Sequence, residues 1–150
     1  MQAFRIADGR YPVFDGSGAE MRGGRWNSPG RKIVYAAERY STAMLELLTR
    51  TRIGKVPKHH VWIRIDIPDD ISTDQVPPEQ IPGWDASGQG EAKAHGDAWY
   101  DSMRSAILFV PSVVARPERN LLINQLHPEF PRITASAPEP VIWDERLFRR

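Results

Sequence analysis

The sequence predicts an α+β fold, and three patterns carry the prediction. Val61, Ile63, Ile65 and Ile67 alternate strictly with Trp62, Arg64 and Asp66, which is the period of a strand with one buried face. Tyr40, Ala43, Met44, Leu47 and Leu48 recur instead at the spacing of an amphipathic helix. Short apolar runs between turn residues in the second half add further strands, so strands and helices share one mixed domain.

In chain order, Phe4-Arg5-Ile6 reads as a short first strand, and residues 8–31 follow as a loop rich in Gly, Asp, Arg and Pro. Loops of that length in compact domains are usually functional or mobile. Lys32 to Ala37 reads as a buried strand, and a helix then runs from Ser41, which can cap it, to about Arg50. Pro68 stops the alternating strand; Pro77, Pro78 and Pro82 with Gly83, Gly88 and Gly90 make residues 68–90 mostly loop, long enough to cover something. A second helix from about Glu91 to Arg104 aligns His95, Ala98, Trp99, Ser102 and Met103 on one face, with Gly96 in its middle. The remaining apolar runs are Ile107 to Val110, ended by Pro111, then Leu121-Leu122-Ile123, Ile133 and Val141-Ile142-Trp143. No repeat, low-complexity tract or linker divides the chain, so residues 1–150 are expected to form a single domain.

Composition excludes several function classes. Twenty Lys and Arg against nineteen Asp and Glu leave a net charge of +1, too little field for a nonspecific hold on nucleic acid or an anionic membrane. With no Cys, disulfides, thiolate catalysis and thiolate metal sites drop out together, in keeping with a reducing cytosol. The first eight residues lack a basic start followed by an apolar core, and no run approaches the ~20 apolar residues that span a bilayer; a cytoplasmic protein is expected. His59 and His60 would point to opposite faces of a strand, and His95 and His127 stand alone, so no metal is expected.

Four residues could carry chemistry. Arg25 follows Gly23 and Gly24 and precedes Trp26. Glycine permits close backbone approach, and a guanidinium grips phosphate oxygens with paired hydrogen bonds, although local sequence equally fits a solvated loop arginine. The glycines do not form a dinucleotide-binding fingerprint. Tyr35 in its apolar strand fits a core residue, and its ring could also stack on a flat ligand such as nicotinamide. Glu46 lies off the apolar stripe of its helix, as a solvated carboxylate would; a carboxylate facing a cleft can also stabilise an oxocarbenium-like centre. Ser112, at a strand end after Pro111, could orient a carboxylate or ribose or merely satisfy backbone, and the Gly-x-Ser-x-Gly pattern of a hydrolase nucleophile is absent around it.

Taken together and in order, the segments resemble the RES family, named for its Arg, Glu and Ser. They are Phe-Arg-Ile at 4–6, Gly-Gly-Arg-Trp-Asn at 23–27, Val-Tyr-Ala-Ala at 34–37, Ala-Met-Leu-Glu at 43–46, Val-Pro-Ser at 110–112 and Arg-Asn-Leu-Leu-Ile-Asn-x-x-His-Pro at 119–128. Leu121 and Gln125 depart from the Tyr and Pro common in that last motif, departures of a structural kind that put none of the four residues in doubt. The resemblance implies an ADP-ribosyltransferase-like fold with a mixed, mainly antiparallel split sheet and flanking helices. It also implies NAD+ as substrate, with Arg25 on the diphosphate, Tyr35 on nicotinamide, Glu46 serving the reacting ribose and Ser112 supporting the site. Asn120, Asn124 and His127 would at most shape the site wall.

The same resemblance implies the toxin of a type II toxin-antitoxin system. It would cleave NAD+ at the nicotinamide–ribose bond, acting by ADP-ribosylation of a protein target or by hydrolysis or phosphorolysis of NAD+. Its partner would be an antitoxin with an Xre-like helix-turn-helix domain that blocks the NAD cleft, while the chain itself binds neither nucleic acid nor membrane. Two rival expectations are a non-catalytic antitoxin-binding protein on the same fold, and a nucleotide hydrolase or nuclease. The latter would call for metal dependence or a basic face that the sequence does not offer.

Overall fold

A computed structural model describes residues 1–51, 54–88 and 90–149. Eight strands join in one sheet: β1 (Gln2–Asp8), β2 (Ile33–Ala37), β3 (His60–Asp66), β4 (Thr73–Gln75), β5 (Ile107–Pro111), β6 (Arg119–Asn124), β7 (Thr134–Ala135) and β8 (Glu139–Pro140). Their order is β4-β5-β6-β2-β1-β3-β7, with β8 also on β3. Among the described residues only β4 and β5 run parallel; every other pair is antiparallel.

The sheet is divided in the middle. β1 pairs with β3 along seven residues, from Gln2↔Asp66 to Asp8↔His60, but meets β2 at Phe4↔Ala37 alone. Buried carbonyls at such a divergence need donors from elsewhere. Arg5 supplies them, with Nη1 donating to the Tyr35 carbonyl at 2.9 Å and Nε to that of Val13 at 2.7 Å. Burial and the Arg50 cation push the Arg5 guanidinium down to about 10, which leaves it charged at neutral pH.

Successive side chains of a strand face opposite ways, and here both faces are buried. Val34, Ala36, Ile107, Phe109, Leu121 and Ile123 join one core with Ile63 and Ile65. Their neighbours Ile33, Leu108, Val110 and Leu122 join a second core with Trp26, Trp84 and Trp99. This double burial is why β5 reads as a continuous apolar run, whereas β3, with Arg64 exposed, alternates.

Among the described residues three α-helices flank the sheet: α1 (Ser17–Arg22), α2 (Tyr40–Leu48) and α3 (Gly90–Ser102). α1 interrupts what the sequence presents as a loop over 8–31; it buries none of its residues, so no apolar period marks it. In α2 the chain turns helical at Tyr40 and stops at Leu48, short of the expected Arg50. Arg39 occupies the cap position without a side-chain bond, and Ser41, inside the first turn, is not the cap.

The buried face of α3 is Ala92, Gly96, Trp99 and Tyr100; of the expected His95, Ala98, Trp99, Ser102 and Met103 only Trp99 lies on it. Gly96 decides this rotation: a Cβ there would lie 1.7 Å from the Trp26 carbonyl oxygen, so the helix packs against that backbone through its missing side chain. The helix ends before Arg104 because Met103 takes a left-handed conformation, φ 56°, with its carbonyl 3.1 Å from His127 Nε2.

Within the expected 68–90 loop, Gln89 lies outside the described residues, and the described part contains β4 and a turn of 3-10 helix at Pro78–Gln80. The 141–143 run forms no strand. The chain pairs with β3 two residues earlier, at Glu139–Pro140, and Ile142 is 89% exposed.

Candidate active site

The Gly23-Gly24-Arg25-Trp26-Asn27 segment is a tight turn closed by hydrogen bonds between Gly24 and Asn27, with Arg25 and Trp26 at its tip. Gly23 needs its left-handed φ of 74°, and a Cβ on Gly24 would come within 2.7 Å of the Tyr35 hydroxyl. That hydroxyl anchors the turn: it donates to Asn27 Oδ1 at 2.6 Å and accepts from the Trp26 amide at 3.2 Å. Burial first of all drives the Tyr35 phenol well above its ordinary value, so it stays protonated as the donor these contacts require. With the hydroxyl committed to structure, the ring is what Tyr35 offers the cleft it lines.

Glu46 projects from α2 toward the ends of β5 and β6. Its Oε1 accepts from Ser112 Oγ at 2.8 Å and from Asn120 Nδ2 at 2.8 Å. Ser112 is itself fully buried, and its oxygen accepts from the Ala115 amide at 3.0 Å, which fixes the direction of its proton. Oε2 receives no hydrogen bond among the described residues. The carboxylate is therefore held by one oxygen and open at the other.

Tyr35, Glu46 and Asn120 line a cleft of about 500 Å³ that also carries Arg22, Arg25, Arg50 and Lys93; Ser112 supports Glu46 from behind it. None of these four cations forms a salt bridge among the described residues. Lys93 Nζ donates to the Gly24 carbonyl and ties α3 to the turn. A cleft with four cations around one carboxylate suits a multiply anionic ligand with a cationic reacting centre.

The chain after the 3-10 turn packs against the turn that bears Arg25. Arg25 Nη1 donates to the Trp84 and Ala86 carbonyls at 3.3 and 3.2 Å, and Trp84 stacks on Trp26 at 6.2 Å. Arg116 lies 5.5 Å over the Trp84 ring and 2.7 Å from Asp85.

Arg25, Tyr35, Glu46 and Ser112 thus converge, and Asn120 joins them. Asn124 and His127 do not. Asn124 Nδ2 donates to the Tyr100 carbonyl at 3.4 Å, and His127 supports the end of α3, so both are structural. Arg22 adjoins the glycine pair and Arg50 lies one helical turn beyond Glu46, so spacing could have found both; Lys93 and Trp84 arrive only through tertiary packing. Among the described residues no three His, Asp or Glu side chains gather closely enough to hold a metal ion.

Residues 2–144 match the RES domain. The chain is 38% identical over 139 residues to a Sphingobium protein named "Prs ADP-ribosylating toxin", covering 90% of this chain and 86% of the relative. It is 35% identical to the "Toxin Res" of Pseudomonas putida, covering 92% and 94% of the two chains. A third relative, "Toxin Res" of Yersinia enterocolitica, is 32% identical over 98% and 99%. A chain in the crystal structure of the M. tuberculosis MbcT-MbcA toxin-antitoxin complex superposes with a TM-score of 0.77 at 18% identity, covering 98% of this chain and 86% of that one, and so shares the fold. No described helix is long and apolar enough to cross a membrane. The family match over residues 2–144 and relatives 35–38% identical over nine-tenths of the chain show that the chain belongs to the RES domain toxin family.

Proposed function

We propose that this chain is the toxin of a type II toxin-antitoxin pair and that it breaks the nicotinamide–ribose bond of NAD+ in the Glu46 cleft. The observation that carries the reading is Glu46 itself, one oxygen anchored and the other open, in a cleft whose other charged lining residues are all cations. Arg25 clamps the diphosphate, the Tyr35 ring stacks on nicotinamide, and Ser112 keeps the carboxylate aimed. As the C1′–N bond breaks, its electron pair leaves with the nicotinamide nitrogen, and the positive charge passes to the ribosyl carbon. Glu46 stabilises that charge and orients the acceptor, which bonds to C1′ and gives up its proton. Arg25 is released from the Trp84 and Ala86 carbonyls when the diphosphate replaces them as its acceptor, an exchange favoured by the stronger bond to a charged oxygen.

The acceptor is a protein side chain in this reading, supported by the 38% identical relative named as an ADP-ribosylating toxin. A cognate antitoxin, supported by the toxin-antitoxin complex to which the fold is similar, fills the cleft with one segment and binds DNA through a helix-turn-helix domain of its own. Purified chain, freed of antitoxin, should be incubated with adenylate-labelled NAD+ and a bacterial lysate, with and without added phosphate. Label fixed on one protein supports transfer; free ADP-ribose or its phosphate supports NAD+ degradation by the same bond cleavage. Failure to release nicotinamide under every condition overturns the enzymatic reading.

A further inference from the structure

We propose that Asn120 is a positioning residue that acts through Glu46, holding the same carboxylate oxygen as Ser112 and so leaving Oε2 as the oxygen that meets the substrate. The proposal rests on the reading of Glu46 given above. Asn120 sits near the start of β6 in the middle of the sheet, paired with Ala37 on one side and Val110 on the other, so its backbone is fixed from both flanks. Ser112 follows the neighbouring β5. From these adjacent strands, two donors reach Glu46 Oε1, each at 2.8 Å. Two bonds from different directions onto one oxygen restrain the carboxylate's rotation as one alone would not, and site geometry must be held this tightly to serve catalysis.

The other end of the Asn120 amide shows what the residue is for. Its Oδ1 is the single buried side-chain nitrogen or oxygen among the described residues that lacks a hydrogen-bond partner. Turning the amide over would not help, because Oδ1 would then face a carboxylate, acceptor against acceptor. A buried, unpaired amide oxygen disfavours the folded state. A residue chosen for stability alone would be apolar here, and positions that break a folding rule in this way are commonly functional. Asn120 keeps its orphaned oxygen because its nitrogen serves Glu46.

Nicotinamide release from NAD+ by the purified chain, followed together with thermal unfolding, tests this. Asn120→Ala should lower kcat at least tenfold with KM within twofold of wild type, while Tm stays level or rises. Asn120→Asp, which keeps the shape and loses the donor, should lose at least as much. Asn120→Ala combined with Ser112→Ala should fall below either single variant, toward Glu46→Gln. If Asn120→Ala or Asn120→Asp folds and turns over at the wild-type rate while Glu46→Gln is inactive, the proposal fails and the role of Glu46 stands. If Asn120→Ala merely unfolds, Asn120→Asp decides by its kcat. If Glu46→Gln releases nicotinamide normally, it is the functional reading that fails, whatever Asn120 does.

Discussion

At position 24 a single methyl group would set the two tasks of Tyr35 against each other. The Tyr35 hydroxyl secures the Arg25 turn, and Gly24 leaves the 2.7 Å of room that a Cβ would fill. Gly24→Ala is expected to destabilise the fold by about 1–3 kcal/mol through overpacking and to weaken NAD+ binding by displacing Arg25; calorimetry and denaturant unfolding read both. Tyr35→Phe keeps the ring but strands the Trp26 amide and Asn27 Oδ1, costing about 1–3 kcal/mol in denaturant unfolding with little change in kcat for the folded fraction. Equal stability to wild type would show that the turn is held by other means. Residue patterns alone gave Glu46 the look of a solvated carboxylate. Periodicity reports which side chains face the core and is blind to those that face a cleft, so the four site residues became legible only as an ordered set of family motifs. Asn120 was legible only as a wall residue, because its bond to Glu46 is a contact between elements far apart in sequence.

Among the elements, α3 offers the sharpest test, since propensity and packing disagree there. Alanine exceeds glycine in helix propensity by about 1 kcal/mol, yet a Cβ at Gly96 would collide with the Trp26 carbonyl at 1.7 Å. Gly96→Ala should therefore lower Tm and disturb the turn that bears Arg25; a raised Tm would mean that α3 does not sit against Trp26. The strands with clear period or continuous apolar runs, β2, β3, β5 and β6, were legible in the sequence to within a residue or two. α1 was not, because it buries nothing, and the face of α3 was misjudged because its key contact belongs to a residue with no side chain. The 141–143 run misled in the opposite sense: apolar composition suggested a strand, but beyond Pro140 the chain makes one more amide bond to β3, from Val141 to the His60 carbonyl at 3.3 Å, and Ile142 turns to solvent.

At the scale of the molecule, acid should weaken the fold in two stages. Burial, and then the Arg104 cation, lower the His95 value below its ordinary 6.5, so the unfolded chain takes up this proton more readily than the folded one. Stability is full above pH 6.5 and declines as pH falls below it through the folded value. Glu129, held low by its hydrogen bond with Ser72, and Asp101, held low by Arg31, add a second loss as pH falls through their folded values below the ordinary carboxylate range. Tm followed from pH 7 down to pH 2 should show both stages, and His95→Asn should remove the first. A Tm rising with acid between pH 6.5 and 5 would contradict the sign. The halves of the sheet meet at one β1–β2 pair, and beside that joint the Tyr35 ring, the Glu46 carboxylate and the four cations line one cleft. The most direct measurement of what the cleft does is the rate of nicotinamide release from NAD+ by wild-type chain and by Glu46→Gln, matched for concentration, Tm and antitoxin binding. The account predicts release by wild type and a fall of about 10²–10³-fold in the variant, the scale of losing one transition-state stabiliser; equal rates from the two proteins would contradict it.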